Sequence, residues 1–209
     1  MLKSNRNALI IIDVQNDFCE GGGLAVEDAN SIIPVINKIS NKFDRVVATQ
    51  DWHPAEHMSF ASNHDDKEPF DTKEIKGREQ TLWPDHCVQD TEGAQFHPRL
   101  DIKPVDLIIR KGTKVDADSY SGFRDNDKET ITGLDGYLKR LNTQNLFLVG
   151  LATDVCVFYT AMDSVELGFH TFLIEDATRG VDQPAGSVKK AKKKMQEAGV
   201  NFLQSDDIN

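Results

Sequence analysis

The sequence predicts an α/β fold of three layers, with helices on both faces of a central, mostly parallel sheet. Short apolar runs alternate with segments of helical period along most of the chain, and strands separated by helices pair in parallel through crossover connections. The first run, residues 8–14, is continuous in Leu and Ile rather than alternating, the mark of a strand covered on both faces. The chain has 209 residues, 39% of them hydrophobic. That is enough for one domain with a substantial core and somewhat small for two, so residues 1–209 are read as a single domain.

The elements follow in order. After the strand at 8–14, Ile32, Ile36, Ile39 and Phe43 fall on one face of a helix over 31–43. Pro34 fits only if that helix begins near Ser31, because its missing N–H is harmless in the first turn. Strands are expected at 45–50 and 106–110, a helix at 135–141 and a strand at 145–150. A helix from about 154 to 167, a strand at 170–175, a helix from about 184 to 198 and a short strand at 200–203 complete the chain. Residues 51–104 are the exception. Their periodicity is weak, yet they hold His53, His57, His64, His86, His97 and both tryptophans. A long irregular segment inside a compact domain is either disorder or a functional excursion, and the Trp and His content argues for an ordered active-site excursion.

A net charge of -10 argues against nucleic acid or an anionic membrane as partner. The lysines at 189, 190, 192, 193 and 194 lie between a helix start and Gly199 with no interleaved aromatics, and read as a solvated helix face. No apolar run approaches the roughly 20 residues that span a bilayer, and residues 8–12 are too short for a signal-peptide core. Cys19, Cys87 and Cys156 are odd in number and widely spaced, which is no disulfide framework and fits a reducing cytoplasm. A homo-oligomer stays open.

In open parallel sheets, ligands bind beyond the carboxyl ends of the strands. The predicted strands deliver Asp13, then Asp51 and His53, then Lys111, and the fourth leads to Cys156. Four consecutive strands thus end in groups suited to hydrolysis. Asp51 and His53, at i and i+2 on an extended backbone, face the same side and can meet one cation, with His86 as third ligand. Two imidazoles and a carboxylate leave open coordination positions, although Asp-x-His alone is a weak signal that more often reflects ordinary polar contacts. His57 is either a fourth ligand or a neighbour of the ligand set; His64 and His97 read as surface residues.

Cys156 follows a glycine-terminated strand and falls in the first turn of a helix, with Thr153 or Asp154 as its N-cap. A helix N-terminus lowers a thiol pKa and offers N–H groups as an oxyanion hole; the alternative is a buried, inert cysteine. Cys19 and Cys87 have no helix start after them and are weaker nucleophiles. Asp13, partly desolvated at the end of an apolar strand, would be the general base, and Lys111 would offset its charge; a plain salt bridge is the competing reading.

Taken together, these residues resemble the isochorismatase-like hydrolase superfamily, and within it the nicotinamidases. The carriers are Ile12-Asp13-Val14-Gln15-Asn16-Asp17-Phe18 with Gly21-Gly22-Gly23-Leu24, then Asp51-Trp52-His53-Pro54 with His57-Ser59-Phe60, then Trp83-Pro84-Asp85-His86-Cys87-Val88. Lys111-Gly112, Tyr120-Ser121-Gly122-Phe123 and the turn from Gly150 through Cys156 to Val157 follow in the family's order.

The resemblance implies the isochorismatase-like hydrolase fold and a triad of Asp13, Lys111 and Cys156. It also implies a cis peptide before Ala152, an oxyanion hole from the N–H groups of Ala152 and Cys156, and Phe18, Trp83 and Tyr120 around a pyridine ring. One divalent metal, zinc first and iron or manganese as alternatives, completes the site. The implied reaction is hydrolysis of nicotinamide, and of pyrazinamide, through a cysteine thioester. Val155 stands where many members carry His or Tyr, which alters pocket shape, and Glu20 stands where many carry Pro. Cys156 counts against an isochorismatase, the metal set against a carbamoyl-type amidase, and the intact triad against a non-enzymatic binding module.

Overall fold

The computed structural model describes residues 4–208. In chain order the strands are β1 (Asn7–Ile12), β2 (Val46–Asp51), β3 (Thr72–Ile75), β4 (Arg78–Thr81), β5 (Leu107–Lys111), β6 (Asn145–Leu151), β7 (His170–Arg179) and β8 (Asn201–Leu203). The helices are α1 (Ile32–Ser40), α2 (Leu134–Arg140), α3 (Cys156–Glu166) and α4 (Ser187–Glu197). Six strands form one sheet in the order β5-β2-β1-β6-β7-β8, and every neighbouring pair is parallel.

β1 explains the continuous apolar run. Its side chains alternate between faces, Leu9 and Ile11 packing with Ile32, Ile36 and Ile39 of α1. Ala8, Ile10 and Ile12 pack with Leu134 and Leu138 of α2, Val157 and Ala161 of α3, and Met195 of α4. Leu9, Ile10, Ile11 and Ile12 are fully buried, each contributing roughly 1.5–3 kcal/mol to the folded state. With helices on both sides, neither face of β1 meets water. The three-layer expectation is met, with a main sheet that is parallel throughout.

Chain order runs outward from β1 through β2 to β5, then jumps to β6 on the other side of β1. The crevice above β1 and β6 is therefore the topological switch point, where such sheets bind ligands. Gly150 lets the two strands meet there. Its φ is 111°, and a Cβ on it would lie 2.1 Å from the carbonyl oxygen of Ile12.

Several boundaries differ from the sequence expectation. α1 ends at Ser40 rather than 43, although Phe43 still packs in the core. α4 starts at Ser187 rather than 184. β7 runs on to Arg179, because after a register shift it pairs again with β6 at Gly150 and Leu151. The excursion holds a hairpin, β3–β4, whose short and mostly exposed strands gave no apolar period. Lys76 and Gly77 at its tip both take positive φ, as a two-residue hairpin turn requires. Among the described residues, no helix is long and apolar enough to cross a membrane.

Candidate active site

In the sheet, the strand ends carrying Lys111, Asp51, Asp13 and the Cys156 turn stand side by side, on β5, β2, β1 and β6. Lys111 is the hub. Its Nζ lies 3.0 Å from Asp13 Oδ2 and 2.5 Å from Asp51 Oδ1, donates to the Ser119 carbonyl at 3.0 Å, and reaches Cys156 Sγ at 3.5 Å. All four side chains are buried. Lys111 thus ties together two carboxylates rather than offsetting Asp13 alone. Thr49 donates to Asp13 Oδ1 at 2.6 Å. Asp13 Oδ2 is ion-paired with Lys111 but has no hydrogen-bond partner, and the Asp13 carboxylate lies within 4.8 Å of the Cys156 sulfur.

Burial raises the Asp13 carboxyl, with Lys111 pulling it the other way. Burial would lower the Lys111 ammonium, but Asp13 and Asp51 outweigh it and hold this group well above its ordinary value. The Cys156 thiol is pushed well above its usual range by burial, again against Lys111. The expectation that a helix N-terminus leaves this thiol acidic is therefore corrected. A fully desolvated sulfur beside two carboxylates rests as the thiol, and its proton must go to a neighbour in the course of reaction. Asp13, whose carboxylate lies within 4.8 Å of the sulfur, is an acceptor at hand.

The helix start also differs from the sequence expectation. α3 begins at Cys156, and Val155, with no side-chain cap, holds the N-cap position. Neither Thr153 nor Asp154 caps the helix, because the Asp154 carboxylate turns toward residues 181–187 instead. The Leu151–Ala152 peptide is cis. Among the described residues, no backbone bond takes up the N–H of Ala152 or of Cys156.

Asp51, His53 and His86 bring one ligand atom each within 4.8 Å of one another. His53 Nδ1 pairs with the Gly112 carbonyl at 2.9 Å and His86 Nδ1 with the Pro84 carbonyl at 2.7 Å. Carbonyls only accept, so both Nδ1 atoms carry the proton and both Nε2 lone pairs are left for a cation. Gly112 permits this contact, since at φ 63° a Cβ would sit 2.3 Å from His53 Cε1. Burial holds His86 down at about 4, hence neutral near pH 7. For His53, burial acts downward but the Asp51 carboxylate 3.6 Å away raises it. A carboxylate and two oriented imidazoles fit a borderline divalent metal.

His57 is spoken for at both nitrogens, by Ser59 Oγ at 2.7 Å and the Ala117 carbonyl at 3.2 Å. Its ring lies 4.2 Å from that of His53, and with His53 and Asp118 it forms a second buried group whose ligand-type atoms lie within 4.8 Å of one another. His64 bonds the Met58 carbonyl and meets Lys73, and it does not join the cluster; neither does His97.

Phe18, Trp83 and Tyr120 line one pocket with Asp51, His53, His86, Ala152 and Cys156. Asp13 and Lys111 are not among its lining residues; both are fully buried behind it. The Tyr120 hydroxyl accepts from Trp83 Nε1 at 3.1 Å and from Gln80 at 3.3 Å, which fixes that wall. Sequence reasoning missed Thr49, Asp118, Ser119, Leu24 and Val181. Thr49 had a signal, since it precedes Asp51 by two residues on the same face of β2. Ser119 lines the pocket and accepts from Lys111 through its backbone carbonyl, for which a sequence holds no signal.

The fold and this constellation define a hydrolase class. Residues 7–207 match the Isochorismatase domain family, and the chain belongs to that family. A nicotinamidase of Acinetobacter baylyi is 48% identical over 208 residues, spanning 100% of this chain and 97% of the relative. The structure of an Acinetobacter baumannii nicotinamidase/pyrazinamidase superposes with a TM-score of 0.96 at 50% identity, covering 99% of each chain. A pyrazinamidase of Pyrococcus horikoshii, solved in complex with zinc, superposes at 0.77 with 34% identity, covering 95% of this chain and 99% of that one. Within the family the chain falls among the nicotinamidases, and it is an amidohydrolase.

Proposed function

We propose that this chain hydrolyses nicotinamide to nicotinate and ammonia, and pyrazinamide by the same route, through a thioester on Cys156. The observation that carries the reading is Lys111 Nζ within 3.5 Å of Asp13, Asp51 and Cys156 together, behind a pocket with the Asp51-His53-His86 set on its wall.

Phe18, Trp83 and Tyr120 hold the ring. Asp13 Oδ2 accepts the thiol proton as Cys156 Sγ bonds to the amide carbon. The N–H groups of Ala152 and Cys156 take the developing oxyanion, at roughly 3–4 kcal/mol per donor. Asp13 then gives its proton to the departing nitrogen, which leaves as ammonia. A water molecule gives a proton to Asp13 and adds to the thioester carbonyl; the C–S bond breaks, Asp13 returns that proton to the sulfur, and the acid released ionises to nicotinate. Lys111 stays cationic throughout and orients Asp13. Asp51, His53 and His86 would hold a divalent metal, zinc first with iron or manganese as alternatives, whose Lewis acidity suits a pyridine nitrogen. Three free, buried cysteines support a reducing, cytoplasmic setting.

His86→Ala is expected to lower bound metal, measured by elemental analysis, and to raise KM for nicotinamide. The loss of metal affinity should exceed the roughly 10–100-fold that removing a partner outside a ligand set costs. His64→Ala should keep wild-type metal content; equal depletion in both variants would show that the ligand set is wrong.

Selectivity tests the reading of the ring. Benzamide has the shape of nicotinamide but offers no ring donor to the open face of Asp51, His53 and His86. Its kcat/KM should fall at least about tenfold, some 1.4 kcal/mol, below those of nicotinamide and pyrazinamide on metal-loaded enzyme. Benzamide turnover equal to that of nicotinamide would reduce the assignment to a general amidase.

A further inference from the structure

We infer that Asp154 is a positioning residue, holding Val181 in place as one wall of the pocket; this rests on the function proposed above. Both oxygens of its carboxylate are bound to a single segment. Oδ1 accepts from the Val181 N–H at 2.9 Å, and Oδ2 accepts from the Asp182 N–H at 2.9 Å and from the Ser187 hydroxyl. Charge-assisted bonds of this kind are roughly twice as strong as neutral ones.

The segment so held is also bonded to itself. Asp182 Oδ1 accepts from the N–H groups of Gly186 and Val188 at 3.0 and 3.1 Å, so residues 182–188 are tied to one another. The Thr153 N–H donates to the Arg179 carbonyl at 2.8 Å, pinning the near side of the same crossing. Between these ties the backbone passes close to Asp154. A Cβ on Gly180 would lie 2.9 Å from Asp154 Oδ1 and 2.2 Å from Val188 Cγ2.

Val181 is the part of this segment that faces the pocket. It lines the pocket with Leu24, Val155 and Cys156. Asp154 itself is not among the lining residues. The groups that act on the Cys156 thiol are Lys111, Asp13 and Asp51. Loosening the Asp154 clamp should therefore change how the ring is held, not how the sulfur is activated.

The test compares metal-loaded wild type with Asp154→Asn, Gly180→Ala and Ser187→Ala. The readouts are kcat and KM for nicotinamide, the inhibition constant of nicotinate, the pH profile of kcat and the melting temperature. Asparagine keeps the shape but has one acceptor oxygen, so at least one clamped donor is lost. For Asp154→Asn, KM and the nicotinate inhibition constant should rise together by about tenfold, with kcat within about threefold and its pH profile unmoved.

Gly180→Ala reaches the same clamp without altering charge and should move both constants in the same direction. Ser187→Ala removes one of three bonds and should raise both by roughly twofold, which keeps the test intact if Asp154→Asn does not fold. Unchanged KM and inhibition constants in the folded variants would overturn the inference. So would a fall in kcat at constant KM, which would place Asp154 on the nucleophile instead. Wild type inactive on nicotinamide would be a failure of the proposed function, visible before any variant is compared.

Discussion

Cys156→Ala is expected to abolish ammonia release while leaving fold and metal content intact. Removing a nucleophile takes away the covalent route altogether, a loss of roughly 10^6-fold where the nucleophile acts within a triad. The structural cost is small. Cys156 is buried in the first turn of α3, and alanine leaves a gap of one atom, comparable to an Ile→Val change at roughly 0.5–1.5 kcal/mol. Metal should stay, because Cys156 is not in the Asp51, His53 and His86 group. Ammonia release, circular dichroism and metal analysis on one preparation check this. Substantial turnover by folded Cys156→Ala would end the cysteine mechanism.

Asp13→Asn should lower kcat by roughly 10^3–10^4-fold, the scale of general acid–base catalysis. The amide cannot take the thiol proton, and burial already holds that thiol well above its ordinary value, so no alternative source of thiolate is at hand near pH 7. The variant should fold, since Lys111 keeps Asp51 at 2.5 Å as its counter-ion and is not left as an uncompensated buried charge. Nicotinate should still bind.

The wild-type pH profile carries the matching sign. Asp13 must be ionised to accept the proton, and its carboxyl is raised by burial. Activity should therefore fall as pH drops through a value above the ordinary carboxylate range. That limb belongs to the coupled Asp13, Lys111 and Cys156 group rather than to one residue. A near-wild-type rate in Asp13→Asn would require a different base.

Much of the candidate site was legible because its signals are local. A strand's face, a strand's end and a helix's first turn follow from short-range periodicity, so Asp13, Asp51, His53, Lys111 and Cys156 could be placed at the carboxyl edge before any contact was known. What was misjudged depended on neighbours distant in sequence. The Cys156 thiol looked acidic from its helix, but it is desolvated among residues at the ends of three strands. Asp154 looked like a cap, but its donors lie 27 to 33 residues later.

By itself, then, the sequence determined the alternation of strands and helices, the burial of β1 on both faces, and the residues that could do chemistry at the strand ends. The tertiary structure decided which of them meet. It placed both Asp13 and Asp51 on Lys111, occupied both nitrogens of His57, hid a polar hairpin in the excursion and brought Val181 to the pocket. Periodicity records which face of an element avoids water, because burial acts on each residue where it stands. Hydrogen bonds and ion pairs are made between groups, and only the folded chain sets the distances on which they depend.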